Sequence, residues 1–416
     1  MKCKYHIMDK SITVEKTALE TARENVLKEN ANLPMQLKFE VSEKETILKL
    51  LRVADLTIPT EVGKKRNIIG IIFDKIVDNL SKNGFQNLRV IRTNPIVSSE
   101  DNFDNLFFSP GNPGRSSTYS RYVDPNNLLR THVSSMVPGT FRDLKNANKI
   151  ENFYTFIFPG LAYRRDVIDP RHLDVFHQID VWTLQENVVH GKTNRDDLLK
   201  LARVVFEAAC PGAEMIVLEA KHPYTVDGIE VYAKIDGREI EVLEAGQVHP
   251  GLLKTAGLDP DKFSGLALGM GVERLIMARK NLPDIRLIRS EDPRIVLQMS
   301  DLGKFKAVSN QPAMIRDMSY CVDRNDTEED ICEHIRNVFG DNADLLEEVQ
   351  IISRTPYEKL EQIAIQKLGA QPSQDNVLIR ITLRHPDKTL TKKESADLYD
   401  KAYPQLHQSQ TGGYLK

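Results

Sequence analysis

The sequence predicts an α+β fold: a mostly antiparallel sheet flanked by helices, followed by a smaller module of split βαβ type. Short strand-like runs gather between residues 150 and 271, and few of them are followed by a crossover helix, so they should pair antiparallel. Turn signals such as Asp227-Gly228 and Asp236-Gly237 separate them. From residue 313 onward the periodicities run strand, helix, strand, strand, helix, the order of a split βαβ unit.

Taken in order, residues 1–60 are charged and weakly periodic, with helices expected over Val14 to Leu27 and Glu43 to Val53. They read as an accessory segment. The main domain is expected over 61–300. It starts with a helical stretch, Ile68 to Leu80, that ends at Gly84, a residue suited to a left-handed cap. Strands are expected at Tyr154–Phe158, Val175–Leu184, Met215–Leu218, Ile229–Ile235, Glu239–Leu243 and Leu266–Met270, interrupted by one helix, Asp196 to Ala209. Asp236-Gly237-Arg238 joins two of these strands as a hairpin. Glu291 to Gln311 looks like a connector, and the linker proper is expected at 301–312. The last module, 313–416, places strands at Met318–Val322, Leu346–Ser353 and Val377–Leu383, and helices at Glu328–Val338 and Lys392–Ala402.

Composition narrows the function classes. A chain of 416 residues exceeds what one hydrophobic core organises, so two or three domains are expected. Lys+Arg number 56 against Asp+Glu 59, which argues against coating nucleic acid by charge alone but permits a local basic groove. Cys3, Cys210, Cys321 and Cys332 show no zinc-ligand spacing and read as reduced thiols. No apolar run approaches the length of a membrane span, so no membrane partner is expected. Met1 to Asn30 mixes Lys, Glu and Asp without a signal-peptide core, and cytoplasmic residence is the expectation.

Two strings carry chemistry. Phe158 to Asp180 reads FPGLAYRRDVIDPRHLDVFHQID, three arginines and two histidines between strand-like runs. Nucleotide binding needs this mixture. A guanidinium neutralises phosphate oxygens bidentately, an aromatic face holds adenine, and a Gln orients a small polar ligand. A solvated hairpin would have a similar composition. The second string, GLALGMGVERLIMARK over 265–280, alternates apolar residues with glycine and then turns helical. Gly265, Gly269 and Gly271 let a ligand lie close to the strand backbone, and Arg274 falls in the first helical turn, where phosphate is favoured. Such glycines also serve packing or a turn.

Together the strings are far more specific. Tyr163-Arg164-Arg165-Asp166, Asp169, His172 and Phe176-His177-Gln178 resemble motif 2 of the phenylalanyl-tRNA synthetase family. Gly269-Met270-Gly271-Val272-Glu273-Arg274 resembles its motif 3, and Leu128-Leu129-Arg130-Thr131-His132-Val133-Ser134 its LLRTHTS segment. Asn102-Phe103-Asp104-Asn105-Leu106 is similar to the NFDxL stretch upstream. Pro312-Ala313-Met314-Ile315-Arg316-Asp317 and His385-Pro386-Asp387-Lys388-Thr389-Leu390-Thr391 resemble the C-terminal anticodon-binding domain of single-chain members. The resemblance covers roughly 65–403. It implies a class II synthetase sheet and a ferredoxin-like βαββαβ domain.

The resemblance also implies roles. Arg164 would bind the α-phosphate and Arg274 the γ-phosphate of ATP, with Gly271 beside them. Phe176 would stack on adenine, His172 would lie near the pyrophosphate and Glu241 would help hold Mg²⁺. His132, Ser134 and Gln178 would fix the amino and carboxyl groups of an amino acid, with Asp180, Gly246, Ala267 and Gly269 lining its site. The amino-acid carboxylate would attack the α-phosphorus, and the product would pass to a tRNA 3′ end. As the family's catalytic domains commonly dimerise through motif 1, here around Ile68–Pro95, and its single-chain members look monomeric, the chain is expected as a monomer or homodimer.

The side-chain pocket departs from the family pattern. His222-Pro223-Tyr224-Thr225 stands where the family carries F-P-F-T, Glu244-Ala245-Gly246 replaces G-C-G, and Asp180-Val181 replaces Glu-Gly. A carboxylate facing a bare phenyl ring loses solvation without gaining a partner, at about 1–3 kcal/mol. A polar or modified amino acid is therefore expected rather than plain phenylalanine. From residue 305 onward, 14 Lys+Arg stand against 18 Asp+Glu, an acidic balance for a nucleic-acid domain. Lys388, Lys392, Lys393, Arg380 and Arg384 are the candidates for a basic face. Two other readings follow: a paralogue loading a carrier protein or small acceptor, and a non-catalytic binding protein. Charging of tRNA separates the first, and absence of amino-acid-dependent pyrophosphate exchange would favour the second.

Overall fold

The structure, a computed structural model, describes residues 44–60, 65–147, 150–308, 312–385 and 388–407. The helix expected over Val14 to Leu27 lies outside them. The chain divides into two compact units. The first holds the described residues up to Arg164, Val175–Asn281 and Met299–Lys304; the second holds Arg165–Asp174, Leu282–Gln298 and the described residues from Phe305 on. Segments 165–174 and 282–298, expected in the main domain, thus group with the second unit. Burial accounts for the first of them. Ile168 is packed in a core with Met318, Ile331 and Val377, and its carbonyl accepts from the Val349 N–H at 2.9 Å. Among the described residues no helix is long and apolar enough to cross a membrane.

The first unit is built on strands β1 (Leu88–Val90), β2 (Ile96–Ser98), β3 (Tyr122–Asp124), β4 (Asn127–Leu129), β5 (Phe153–Tyr163), β6 (Val175–Glu186), β7 (Glu214–Glu219), β8 (Thr225–Ile235), β9 (Arg238–Val248), β10 (Phe263–Ser264) and β11 (Leu266–Gly271). The main sheet runs β1-β5-β6-β11-β9-β8-β7, with β10 also paired to β6. Its pairs are antiparallel except β1 with β5. β2-β4-β3 form a small separate sheet.

β5 runs past its expected end at Phe158, straight through Pro159-Gly160. The reason is packing. A Cβ on Gly160 would come within 2.5 Å of the Arg130 guanidinium, so this glycine admits a buried arginine instead of making a turn. The β8–β9 turn has two residues rather than three: Asp236 and Gly237 both take positive φ (48° and 78°), and Arg238 already pairs with Ile235. Helix Ile68–Lys82 starts where the Asn67 side chain accepts from the Ile69 N–H, and Gly84 follows it at φ 84°. Its buried face, Ile68, Ile69, Ile72, Phe73, Ile76 and Leu80, packs against helix Arg195–Ala209. The aromatic side chains Tyr154, Phe156, Phe158 and Trp182 form a core with Phe141 and Val137. Each such side chain stabilises the fold by about 1.5–3 kcal/mol.

The second unit contains β12 (Met314–Asp323), β13 (Leu346–Pro356) and β14 (Gln374–Leu383), in the order β12-β14-β13 and antiparallel throughout. Helices Glu328–Phe339 and Lys392–Leu406 are each started by a Thr capping box. This is the expected βαββα order; a closing strand would fall beyond residue 407, outside the described residues. In this unit two α-helices escaped the sequence reading among the described residues: Pro293–Gln298, inside the expected connector, and Gln362–Leu368, between β13 and β14. Both are short, with too few turns to show a helical period.

Candidate active site

Strand register assembles the site. Across the sheet, Asp180 pairs with Gly269, Gly269 with Glu244, and Glu244 with Glu230. Direct cross-strand partners point to one face, so these four form a single row. The adjoining rows pair Gln178 with Gly271, Trp182 with Ala267, and Ala267 with Gly246. A register shift between Val231 and Tyr232 leaves Val242 unpaired and sets Glu241 opposite Tyr232, so Glu241 returns to the same face. Six expected amino-acid residues therefore share one face: Gln178, Asp180, Glu244, Gly246, Ala267 and Gly269.

β11 supplies the floor. With no side chain on Gly269, Asp180 and Glu244 stand on either side of a bare strand, two strand spacings or about 10 Å apart at their Cα atoms. A Cβ on Gly269 would come within 2.9 Å of Asp180 Oδ1, and one on Gly246 within 2.6 Å of the Thr225 side chain. A side chain at either place would force Asp180 or Thr225 to move.

One side of this trough is a buried polar cluster. Ser134 Oγ donates to Asp180 Oδ2 at 2.6 Å, and Trp182 Nε1 donates to the same oxygen at 3.4 Å. Burial pushes the Asp180 carboxyl up to about 7. Gln178 Oε1 accepts from the Val133 N–H at 3.1 Å. The His132 ring stacks on Phe108 at 5.3 Å, and neither of its ring nitrogens has a hydrogen-bond partner. Burial, followed by the charge of Arg164, holds that imidazole down to about 3, so it is neutral. Asn102 sets the position of this segment: its Nδ2 donates to Thr131 Oγ1 at 2.9 Å, and its Oδ1 accepts from the Thr131 N–H at 3.1 Å. That contact explains why the NFD and LRTH segments belong to one site.

The other side is the departed pocket. Tyr224 stacks on Trp182 at 5.6 Å and on His222 at 6.5 Å. His222 Nε2 lies 3.5 Å from Glu244 Oε2. Burial pushes the Glu244 carboxyl up, against the pull of His222. Thus His222, Tyr224 and Glu244 do gather, as expected.

Arg164 lies between two aromatic faces, its guanidinium 5.0 Å from the Phe176 ring and 5.7 Å from the Tyr119 ring, while Nε donates to the Thr131 carbonyl at 3.0 Å. It has no ion pair among the described residues. Arg274 is the second residue of helix Glu273–Lys280 and is exposed, as are Gly271 at the end of β11 and Glu241 on β9. His172 differs. It groups with the second unit, where its Nδ1 faces Asp169 Oδ2 at 2.8 Å. The loop's apolar anchor, Ile168, is what carries it there.

The sequence reading missed a clamp. Glu273, 2 % exposed, accepts from the His177 backbone N–H through both oxygens at 2.9 Å and meets His177 Nδ1 at 2.6 Å. The Leu56 N–H donates to His177 Nε2 at 2.9 Å, so Nδ1 carries the proton that faces the carboxylate. The helix bearing Arg274 is thereby locked onto the strand bearing Phe176. Both residues sat inside the two strings; only their separation of 96 positions hid the pairing.

A sheet with one parallel edge, an unpaired arginine between aromatic faces and a glycine-floored trough define a class II synthetase core, and residues 54–299 match the family model described as "tRNA synthetases class II core domain (F)". The chain is 30% identical over 351 residues to the chloroplastic/mitochondrial phenylalanine–tRNA ligase of Arabidopsis thaliana, covering 81% of this chain and 76% of that protein. It is 29% identical over 342 residues to the mitochondrial phenylalanine–tRNA ligase of Mus musculus, covering 73% and 70%. Against the phenylalanine–tRNA ligase alpha subunit of Prochlorococcus marinus the identity is 30% over 296 residues, covering 70% and 83%. The chain belongs to the phenylalanyl-tRNA synthetase family.

Proposed function

We propose that the chain is a ligase that activates an amino acid with ATP, releases diphosphate and transfers the aminoacyl group to a tRNA 3′ end. The observation that carries this reading is Arg164: a guanidinium in no ion pair among the described residues, set between the Tyr119 and Phe176 rings and held by the Thr131 carbonyl. The amino-acid carboxylate attacks the α-phosphorus in line. Arg164 stabilises the charge that develops there, Phe176 takes the adenine, and Arg274 meets the far end of the triphosphate. His132, Ser134, Gln178 and Asp180 hold the amino acid's polar end, and neutral His132 needs no proton transfer to do so. Glu241, an exposed carboxylate brought to the substrate face by the β9 bulge, fits the role of holding Mg²⁺. When bound, Mg²⁺ supplies charge neutralisation at the phosphates.

The preferred amino acid is polar rather than plain phenylalanine. A phenyl ring against Glu244 and His222 would desolvate both without partnering either, a penalty of about 1–3 kcal/mol. Transfer to a carrier protein or a small acceptor is a second reading with one observation in its favour: Arg380 pairs bidentately with Asp317 at 2.8 Å and Arg384 pairs with Glu347, so both expected basic-face arginines are neutralised. The chain works as a monomer or homodimer in the cytoplasm by this reading, and its buried free Cys210, Cys321 and Cys332 suit a reducing compartment.

ATP–pyrophosphate exchange followed by charging of total tRNA tests the proposal. Amino-acid-dependent exchange with label on tRNA is expected. Exchange without label on tRNA selects the second reading, and no exchange with any amino acid overturns both.

A further inference from the structure

Glu230 and Glu244 are direct cross-strand partners on β8 and β9, where like charges destabilise a sheet. Neither has a lysine or arginine partner among the described residues; the one basic group in contact is His222. The His222 side chain is nine-tenths buried (9 % exposed), and its Nε2 has no hydrogen-bond partner. One nitrogen or oxygen from each of His222, Glu230 and Glu244 lies within 4.8 Å of the other two.

Further contacts orient the three. The Thr225 hydroxyl lies 3.4 Å from His222 Nδ1; in the tautomer that carries its proton on Nδ1, the Nε2 lone pair faces Glu244. Tyr232 OH donates to Glu230 at 2.9 Å and holds that carboxylate in place. The stacked Tyr224 ring forms the wall beside His222.

We propose that His222, Glu230 and Glu244 form a subsite for an ammonium group on the side chain of the amino acid, an inference that rests on the ligase reading above. An ammonium donates three hydrogen bonds at tetrahedral angles; with N···O distances near about 2.8 Å its acceptors stand about 4.6 Å apart. Two carboxylates and the His222 Nε2, in the tautomer with its proton on Nδ1, supply them. Position agrees with chemistry. Asp180 and Glu244 share one row across bare Gly269, so a substrate whose α-ammonium sits at Asp180 and Ser134 directs its side chain along the floor toward Glu244. The span of about 10 Å between those Cα atoms, shortened by the two carboxylate side chains, suits a side chain carrying its amine several bonds from Cα. A divalent metal would use the same three ligands without any amine on the substrate, and the experiment separates the two.

The measurement is ATP–pyrophosphate exchange by the full chain with matched pairs: L-lysine against L-norleucine, L-ornithine against L-norvaline, and 4-(aminomethyl)-L-phenylalanine against 4-ethyl-L-phenylalanine, with L-phenylalanine alongside. At least one amine-bearing member is expected to exceed both its uncharged partner and phenylalanine by about tenfold or more in kcat/KM. Glu244→Gln and Glu230→Gln are each expected to raise that substrate's KM about tenfold, with a smaller effect on kcat. An uncharged amino acid as the best substrate overturns the subsite and leaves the ligase reading intact. One equivalent of Zn²⁺ in the purified chain, lost in both Gln variants, assigns the trio to a metal and also overturns it. No exchange with any amino acid overturns the ligase reading itself. The wild-type comparison requires no variant to fold.

Discussion

In the first unit Arg164 and Arg274 make no ion pair among the described residues, and His132 and His222 keep buried ring nitrogens without hydrogen-bond partners. In the second unit each of the six arginines between residues 316 and 384 sits beside an aspartate or glutamate. Buried polar groups without partners are costly, so they persist where a ligand completes them. The contrast teaches that the first unit leaves Arg164 and Arg274 for charge from outside, whereas those six arginines are neutralised within the chain. Within the first unit a further difference holds: Glu273 and His177, which position the site, bond to each other, whereas the His132 ring nitrogens and His222 Nε2 have no hydrogen-bond partner.

The largest expected effect falls on a positioning group. Glu273→Ala removes the acceptor for His177 and leaves its donors buried; unfolding in denaturant should show a loss of about 3–5 kcal/mol. A loss below about 1 kcal/mol would break the division between positioning and substrate groups. Next comes Arg164→Ala, which should cut pyrophosphate exchange by about 10²–10³-fold while moving the melting curve little. Exchange retained within about tenfold would remove the main support for the site.

Asp180 sharpens the comparison through pH. Its folded-state carboxyl lies near 7 against an ordinary 3.8, so between those values the folded chain keeps a proton that the unfolded chain has released. The free protein should therefore lose stability as pH rises from about 4 to 7, by up to a few kcal/mol, and Asp180→Asn should flatten that slope in a series of denaturant titrations. Binding of the α-ammonium needs the ionised carboxylate, so KM for the amino acid should fall as pH rises through 7. The smallest effect belongs to the second unit. Arg380→Ala breaks a half-exposed pair with Asp317, and both exchange rate and melting temperature should stay where they are. A loss of tRNA charging in that variant would give this paired arginine a role in binding.

Much of the site was legible because its chemistry is contiguous. Arg164, Phe176 and Gln178 lie in one string and Gly269, Gly271 and Arg274 in another, and the register of β6 with β11 brings the two together. The α+β class was legible in the spacing of short strands. What stayed hidden depends on long-range packing. Pro159-Gly160 looks like a turn until the buried Arg130 is seen to need the space. His172 sits in the same string as Arg164, yet Ile168, four residues before it, packs with side chains about 150 or more positions away and carries the loop into the second unit. Glu230 was missed because alternation along β8 does not reveal which face meets substrate, and the bulge at Val242 changes that parity on β9.

The most direct measurement is ATP–pyrophosphate exchange by the full chain, one amino acid at a time, the standard set together with the amine-bearing amino acids named above, against a blank without amino acid. The account predicts exchange well above the blank for at least one polar amino acid, with phenylalanine clearly poorer. Exchange at the level of the blank for every amino acid would contradict the ligase assignment, and phenylalanine as the clear best substrate would contradict the reading of His222, Tyr224 and Glu244.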